Sequence, residues 1–468
     1  MKKLLYTVIT VTILGLLFTS CSKDSLEPSM EQDKNVEGSI TKAEDVWGIL
    51  LGVYDRVTDV PYYGRDLIIF GEIRADNAFS NGNSGRFINP GKMQLTVNDA
   101  YAEDTWSQMY EVVASCNILI GLDPNAIEGD LAEINHYIGQ AYALRALAHF
   151  DLLKLYGQQH VTGGGDVGIP YVTTYKGDDL VPPRDNVATV KSNIESDLAT
   201  ALNMMSAALN DESHCYMTTW GAYALEARVA LYFGEWSKVI TACEAIINDP
   251  SNPFIIIPEG EFISSWSTKS SPNSIFELAF STTDNNNING LSQIYRGAAY
   301  GDIQALEDIL TIFDDGDVRA DTLYMIGPGL ETGLLRNLGK YPSADYSDNI
   351  NLIRYEEVIL SYAEALIESG RPGDALIQMN LITANRGAQP WTEATIDNVL
   401  TERRRELCFE GFRFDDLARR GMDIPLVNQF EQTHGGPAYG SYKYAFPIPE
   451  VEINANSNVT QNQGYGGS

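Results

Sequence analysis

The chain has 468 residues, enough for two or three ordinary domains or one large helical assembly, and its 44% hydrophobic content can fill a core. Its 32 basic and 63 acidic residues give a formal net charge of −31, and without the first twenty residues the balance is 30 against 63, or −33. Such a surface repels phosphate backbones and anionic headgroups, which argues against nucleic acid and favours a neutral or cationic ligand over a polyanionic one.

Met1-Lys2-Lys3 followed by the apolar run Leu4 to Phe18 has the form of a secretory signal, shorter than the roughly 20 residues of a spanning helix. The run gives way through Thr19-Ser20 to Cys21, and the whole resembles a lipoprotein signal of residues 1–20 with Cys21 as the lipid-bearing first residue. A plain secretory signal with a chance cysteine is the alternative. Residues 21–40 are polar and charged, as a tether between membrane and folded body requires, and Ser22-Lys23-Asp24 looks like the export tag of Bacteroidetes surface lipoproteins. No later stretch could span a bilayer.

Val46, Ile49/Leu50 and Val53 mark a first amphipathic helix between Ala43 and Asp55. Pro61-Tyr62-Tyr63-Gly64 signals a turn, and Asn77 to Gly91 reads as a polar loop in which Phe79, Arg86 and Phe87 are embedded. Apolar stripes then predict helices over 105–121 (Trp106, Met109, Val113, Cys116, Ile120) and 134–156, the second ending at Gly157. The glycines at 163–165 lack the Gly-Lys-Ser/Thr ending of a phosphate loop and read as a surface loop. Pro182-Pro183-Arg184-Asp185 precedes a further helix over 188–209.

Ala224 to Pro250 and Tyr355 to Arg386 repeat one design: a small-residue helix, a glycine turn, and a second helix. Aligning Gly234 with Gly370 superposes Ala227 on Ala363, and both units resemble tetratricopeptide repeats, whose helix pairs must stack to bury a core. The fold expected is mostly α, with tetratricopeptide-like helix pairs in a right-handed superhelical scaffold, long loops and a few short strands. Residues 251–350 break the pattern. Phe254–Ile257 and Ile275–Phe280 look like strands among segments rich in Gly, Ser, Asn and aromatics, including Trp266, Tyr295, Tyr300, Tyr324, Tyr341 and Tyr346. In Asp314–Asp321, Asp317 and Arg319 are placed to brace a loop as an ion pair.

Glu402 to Gly421, ERRRELCFEGFRFDDLARRG, is a charged helical run with candidate pairs Glu402/Arg405, Asp415/Arg419 and Asp416/Arg420 and an interruption at Gly411. Three consecutive arginines in an acidic chain need carboxylates: Glu406 and Glu410 locally and others across the core. Such residues clamp a fold rather than touch a ligand. Pro447 and Pro449 predict an extended strap over residues 446–453.

The 402–421 string resembles the C-terminal hallmark of the SusD/RagB family of Bacteroidetes surface lipoproteins. The order of "LLKLYG", "GIPYV", "VPPRDN" and "IESDLATAL", the Asp317/Arg319 segment and the Phe446–Ile453 ending carry the same resemblance from Cys21 to Tyr465. It implies an N-terminal helical region over 41–250 and a C-terminal region over 251–468, loop-rich at 251–350 and helical at 351–425. It also implies a nutrient-binding protein lipid-anchored on the extracellular face of the outer membrane, where it caps a TonB-dependent SusC-like transporter and delivers captured substrate. The family's ligand is usually a poly- or oligosaccharide, sometimes a peptide.

A sugar offers a C–H face and a rim of hydroxyls, so capture calls for exposed aromatic platforms with amide or guanidinium partners. The loops supply Phe79, Phe87, Trp266, Tyr295, Tyr300 and Tyr324 as candidate platforms and Arg86, Asn286 and Arg296 as polar partners. The rival is a surface glycoside hydrolase, which needs two carboxylates roughly 5–10 Å apart; among 63 acidic residues such a pair carries no weight. The five histidines lack metal-ligand spacing, Cys116, Cys215, Cys243 and Cys408 read as core thiols in helical patterns, and no Gly-x-Ser-x-Gly elbow occurs. Neither a catalytic residue nor a metal or cofactor is expected.

Overall fold

Side-chain caps set where the long helices begin. Asp99, Asp130, Asn186, Thr218 and Thr395 each accept a hydrogen bond from a backbone N–H of the first turn. The structure, a computed structural model, describes residues 39–175, 181–297, 300–329 and 334–466. The expected signal, Cys21 and most of the expected tether lie outside the described residues.

In chain order the elements are α1 Ala43–Val57, α2 Asp66–Ile73, β1 Ala78–Ser80, α3 Ile88–Lys92, α4 Ala100–Ile120, α5 Leu131–Tyr156, α6 Val187–Met204, α7 Thr219–Tyr232, α8 Trp236–Ile247 and α9 Glu259–Ser265. There follow β2 Ser274–Leu278, α10 Leu291–Arg296, β3 Ile303–Ala305, β4 Ile326–Pro328, β5 Leu335–Asn337, β6 Ile350–Arg354, α11 Tyr355–Glu368, α12 Pro372–Ala384, α13 Ile396–Leu407, α14 Arg413–Arg419 and α15 Glu450–Ala455. The chain is mostly helical. Helices α4, α5 and α6 pack in succession, α7 pairs with α8 and α11 with α12, and α8 lies against α11. Gly234 and Gly370 make the two repeat turns at φ +69° and +75°, and Ala227 and Ala363 are buried. Among the described residues the strands form three antiparallel two-stranded ladders: β1 with β3, β2 with β6, and β4 with β5.

The structure departs from the sequence-based expectations at particular places. All eight residues of α2 are buried, so the run has no polar face from which a helical period could be read. Phe254–Ile257 has no regular secondary structure and joins no ladder; Ile255 N–H donates to Pro272 O instead. Helix α6 stops at Met204, five residues early, and Cys215 sits half-buried in the loop before α7 rather than on a helix. The strap at 446–449 turns into α15 directly after Pro449, because a proline at a helix start lacks only an N–H that has no intrahelical partner there.

Within the 402–421 stretch, α13 ends at Leu407 and α14 begins at Arg413, with Gly411 between them at φ +90°. Gly411 crosses α2 so closely that a Cβ on Gly71 would lie 2.0 Å from Gly411 O. The arginines do not pair with Glu406 and Glu410. Arg403 reaches Asp416 (3.1 Å), Arg404 reaches Asp76 (3.3 Å), and Arg405 reaches Asp314 (3.1 Å) and Glu402 (3.5 Å). Adjacent helical positions point in different directions, so the three side chains diverge to three parts of the fold. Arg419 and Arg420 both turn to Glu364 of α11, and Asp415 to Lys154 of α5, in place of the expected i,i+4 pairs.

Glu406 instead receives Arg319 (3.1 Å), Arg354 (2.9 Å) and Arg386 (2.9 Å), and Glu410 receives Arg354 (2.7 Å) and Lys340 (2.6 Å). Asp317 pairs with Arg319 at 2.7 Å, as the sequence predicts. Burial alone would push the Glu406 carboxyl up; the guanidinium groups of Arg386, Arg354 and Arg319 overcome this and hold it well below the usual carboxylate range.

Candidate functional site

This buried charge cluster anchors three irregular segments that face one another at the surface. Arg319 donates to Glu402 (2.7 Å) and so fixes the turn leading to Leu323 and Tyr324, whose N–H groups both bond Asp321 Oδ1 (2.8 and 2.9 Å). Lys340 donates to Glu406 O, Cys408 O and Glu410 Oε1 (2.8, 2.7 and 2.6 Å), which holds the segment running through Leu338, Gly339 and Pro342. Arg386 bonds Ile257 O (2.7 Å) and stacks over Phe262 at 4.3 Å, fixing α9.

Between these walls lies an open groove of about 510 Å³. Ile263, Leu323, Tyr324, Pro328 and Leu338 give it apolar surface, and Ser264, Ser267, Thr322 and Arg296 give it polar groups. Tyr324 is 55% exposed and Leu323 69% exposed, although the turn that carries them is hydrogen-bonded in place. The volume falls within the ~300–1,000 Å³ typical of small-molecule sites. A rigid exposed ring, aliphatic walls and a few hydroxyl and guanidinium donors suit a ligand with an apolar face and a hydroxyl rim.

Of the nine candidate contacts read from the sequence, Arg296 and Tyr324 line this groove. Arg86 and Tyr300 meet elsewhere on the loop-rich side, with the guanidinium 3.6 Å from the ring centre. Their turn is stitched by Asn83 to Tyr300 O (2.7 Å) and by Ser84 to Asp302 (2.6 Å). Phe79 is half-buried in β1 opposite Gln304. Asn286 is half-buried and donates to Thr58 O (2.9 Å), closing the 58–64 turn.

Three of the expected aromatic platforms are core residues. Phe87 is fully buried, because its left-handed backbone (φ 59°) turns the ring inward onto Tyr101 at 5.0 Å. Tyr295 is fully buried against Tyr341 and Phe409, and burial pushes its hydroxyl well above the usual range. Trp266 is 8% exposed, with Lys340 Nζ and the Arg354 guanidinium over its ring at 4.9 and 5.2 Å. Of the groove residues missed from sequence, Ile263, Leu323, Pro328 and Leu338 are aliphatic and Ser264, Ser267 and Thr322 carry hydroxyls; the adjacent Leu323-Tyr324 in a polar turn is the signal that could have found Leu323.

Among the described residues, no group of three or more His, Cys, Asp or Glu side chains is placed to hold a metal, and no helix is long and apolar enough to cross a membrane. The family model described as "SusD family" matches residues 335–465, and "Starch-binding associating with outer membrane" matches residues 26–231. The chain belongs to the SusD/RagB family. SusD-like protein P38 of Formosa agariphila is 25% identical across 91% of this chain and 93% of its own. The starch-binding protein SusD of Bacteroides thetaiotaomicron is 35% identical over a shorter reach, 27% of this chain and 22% of its own. A crystal structure of a SusD superfamily protein from Bacteroides thetaiotaomicron superposes with a TM-score of 0.82 at 25% identity, covering 90% of this chain and all of that one. This SusD-like chain is therefore a binding protein of a non-catalytic family of starch- and glycan-binding surface proteins, whose description associates it with the outer membrane.

Proposed function

We propose that this SusD-like protein captures a neutral poly- or oligosaccharide in the groove beside Tyr324 and delivers it to a TonB-dependent SusC-like transporter. On this reading residues 1–20 are a signal, Cys21 carries the lipid, residues 21–40 form the tether, and the protein works on the extracellular face of the outer membrane. The groove supports the capture step: an open channel of about 510 Å³ with an exposed tyrosine on a braced turn. The formal charge of −31 favours an uncharged ligand over a polyanion.

The test is a panel of soluble glycans (starch, laminarin, mannan, xylan) run by affinity electrophoresis and calorimetry on the mature protein. Binding of a neutral glycan without release of reducing ends is expected, with affinity falling about tenfold in Tyr324→Ala, within the ~1–3 kcal/mol that one stacking ring supplies. Binding confined to peptides would move the ligand to the family's peptide-capturing branch. Reducing-end release dependent on a specific carboxyl group would overturn the capture reading. Co-purification with a barrel transporter checks the delivery step.

A further inference from the structure

The α9 wall meets the groove through Gly260, Ile263, Ser264 and Ser267. Their spacing, i, i+3, i+4 and i+7, follows one face of the helix and its continuation. Phe262 lies on the opposite face, buried beneath Arg386. A side chain at position 260 would therefore project into the groove. Nothing on the protein stands in its way: Gly260 is exposed, and a Cβ placed there would meet no neighbouring atom within 4 Å.

The fold itself does not call for a glycine at this position. The backbone at Gly260 is helical rather than left-handed, so alanine fits it and would leave the unfolded chain less freedom to lose. Gly339, a second lining glycine, is different. A Cβ there would come within 2.2 Å of Met325 Sδ and 2.6 Å of Tyr324 O, so packing under the Tyr324 turn requires it. Gly260 answers to neither left-handed backbone nor tight packing. The use of glycine that remains is the close approach of a ligand to the backbone. An open glycine on a helix is not by itself such a site: Gly373 is likewise the second residue of its helix, α12, with equally empty surroundings, but it lies outside the groove lining.

We propose that Gly260 is a specificity-determining residue of the groove, a size filter on the glycan it admits. The bare backbone leaves a notch in the α9 wall, and one sugar ring of the captured chain settles into it beside Tyr324. The inference rests on the glycan-capture reading above. A side chain at 260 fills the notch from the wall side, with one carbon in alanine and four in leucine, and pushes the ring out of the groove while the braced Tyr324 turn stays where it is.

The experiment is calorimetry with starch, laminarin, mannan and xylan on wild type, Gly260→Ala, Gly260→Leu and the matched control Gly373→Leu. The best-bound glycan should weaken about threefold in Gly260→Ala and about tenfold or more in Gly260→Leu, and should keep its wild-type affinity in Gly373→Leu. The thermal midpoint of Gly260→Ala should hold or rise by up to about 1 °C, so that affinity falls while the fold gains, which a merely structural glycine would not produce. A glycan that binds Gly260→Leu as tightly as wild type, or that loses as much affinity in Gly373→Leu as in Gly260→Leu, would overturn the filter and leave glycan capture standing. Failure of every neutral glycan to bind the wild-type protein would overturn both.

Discussion

Glu406→Gln removes the negative charge on which Arg319, Arg354 and Arg386 converge at 3.1, 2.9 and 2.9 Å. All four side chains are at most 2% exposed, so water cannot take over the lost interaction. Breaking one partner of a buried ion pair costs about 3–5 kcal/mol, because the remaining charge stays buried without compensation. Unfolding entropy of about 2 cal/mol/K per residue amounts to about 1 kcal/mol/K for a chain of this length, so the thermal midpoint should fall by about 3–5 °C. The assay is differential scanning calorimetry at pH 7 beside a control, Asp374→Asn. That variant breaks the surface pair of Arg371 and Asp374, whose side chains are 45% and 53% exposed. A pair of that kind contributes at most about 1 kcal/mol. A Glu406→Gln midpoint indistinguishable from the control would refute the view that α13 clamps the fold.

Four further outcomes follow from the same contacts. Acid should destabilise the protein: burial would raise the carboxyl groups of Glu406, Glu410, Asp76 and Asp416, but their arginine and lysine partners hold them below their ordinary 4.5 and 3.8. Their stabilisation is present above those values and is lost as pH falls below about 4.5, while Asp66 and Asp348, raised to about 6 mainly by burial, favour the fold at the lower end. A midpoint measured across pH 3–8 should therefore fall as pH drops below about 4.5, and a flat profile there would refute the assignment. Phe87→Ala should cost about 3–5 kcal/mol as a buried ring is lost, and leave glycan affinity in the surviving fold unchanged; calorimetry of both quantities separates core from contact. Gly71→Ala should impair folding, its Cβ meeting Gly411 O at 2.0 Å, and soluble yield with circular dichroism reads this directly. Lys340→Met should lower both the thermal midpoint and the glycan affinity, since Glu406 O, Cys408 O and Glu410 lose a buried donor and the Leu338–Pro342 wall loses its anchor; scanning and titration calorimetry read the two effects.

The sequence made the helical body readable wherever a helix keeps one face in solvent. Trp106, Met109, Val113 and Cys116 recur at three and four, and α4 runs from Ala100 to Ile120 around them. Helix α2 was hidden because Leu67, Ile68, Ile69, Phe70 and Ile73 are all buried together with Asp66 and Glu72, which find Arg65 and Asn77 as partners. Charge pairing was readable in kind but not in address. Arg404 and Asp76 are more than three hundred positions apart, and no local pattern announces a contact of that span. The site residues suffered from the same limit. An aromatic in a polar loop is chemically equal at Phe87 and at Tyr324, and a left-handed turn sends one ring inward while an Asp321-braced turn leaves the other outside.

The charge cluster and the groove form one construction. Glu402 and Glu406 lie one turn apart on α13, and Glu410 follows in the turn beyond it. Through Arg319 they hold the Tyr324 turn, through Arg386 the α9 wall, and through Lys340 the Pro342 wall. A weak ligand gains little from a loop it must first order, because each immobilised side chain costs about 0.5–1.5 kcal/mol at binding. Fixing the walls from inside, with charges that never meet the ligand, moves that cost into folding.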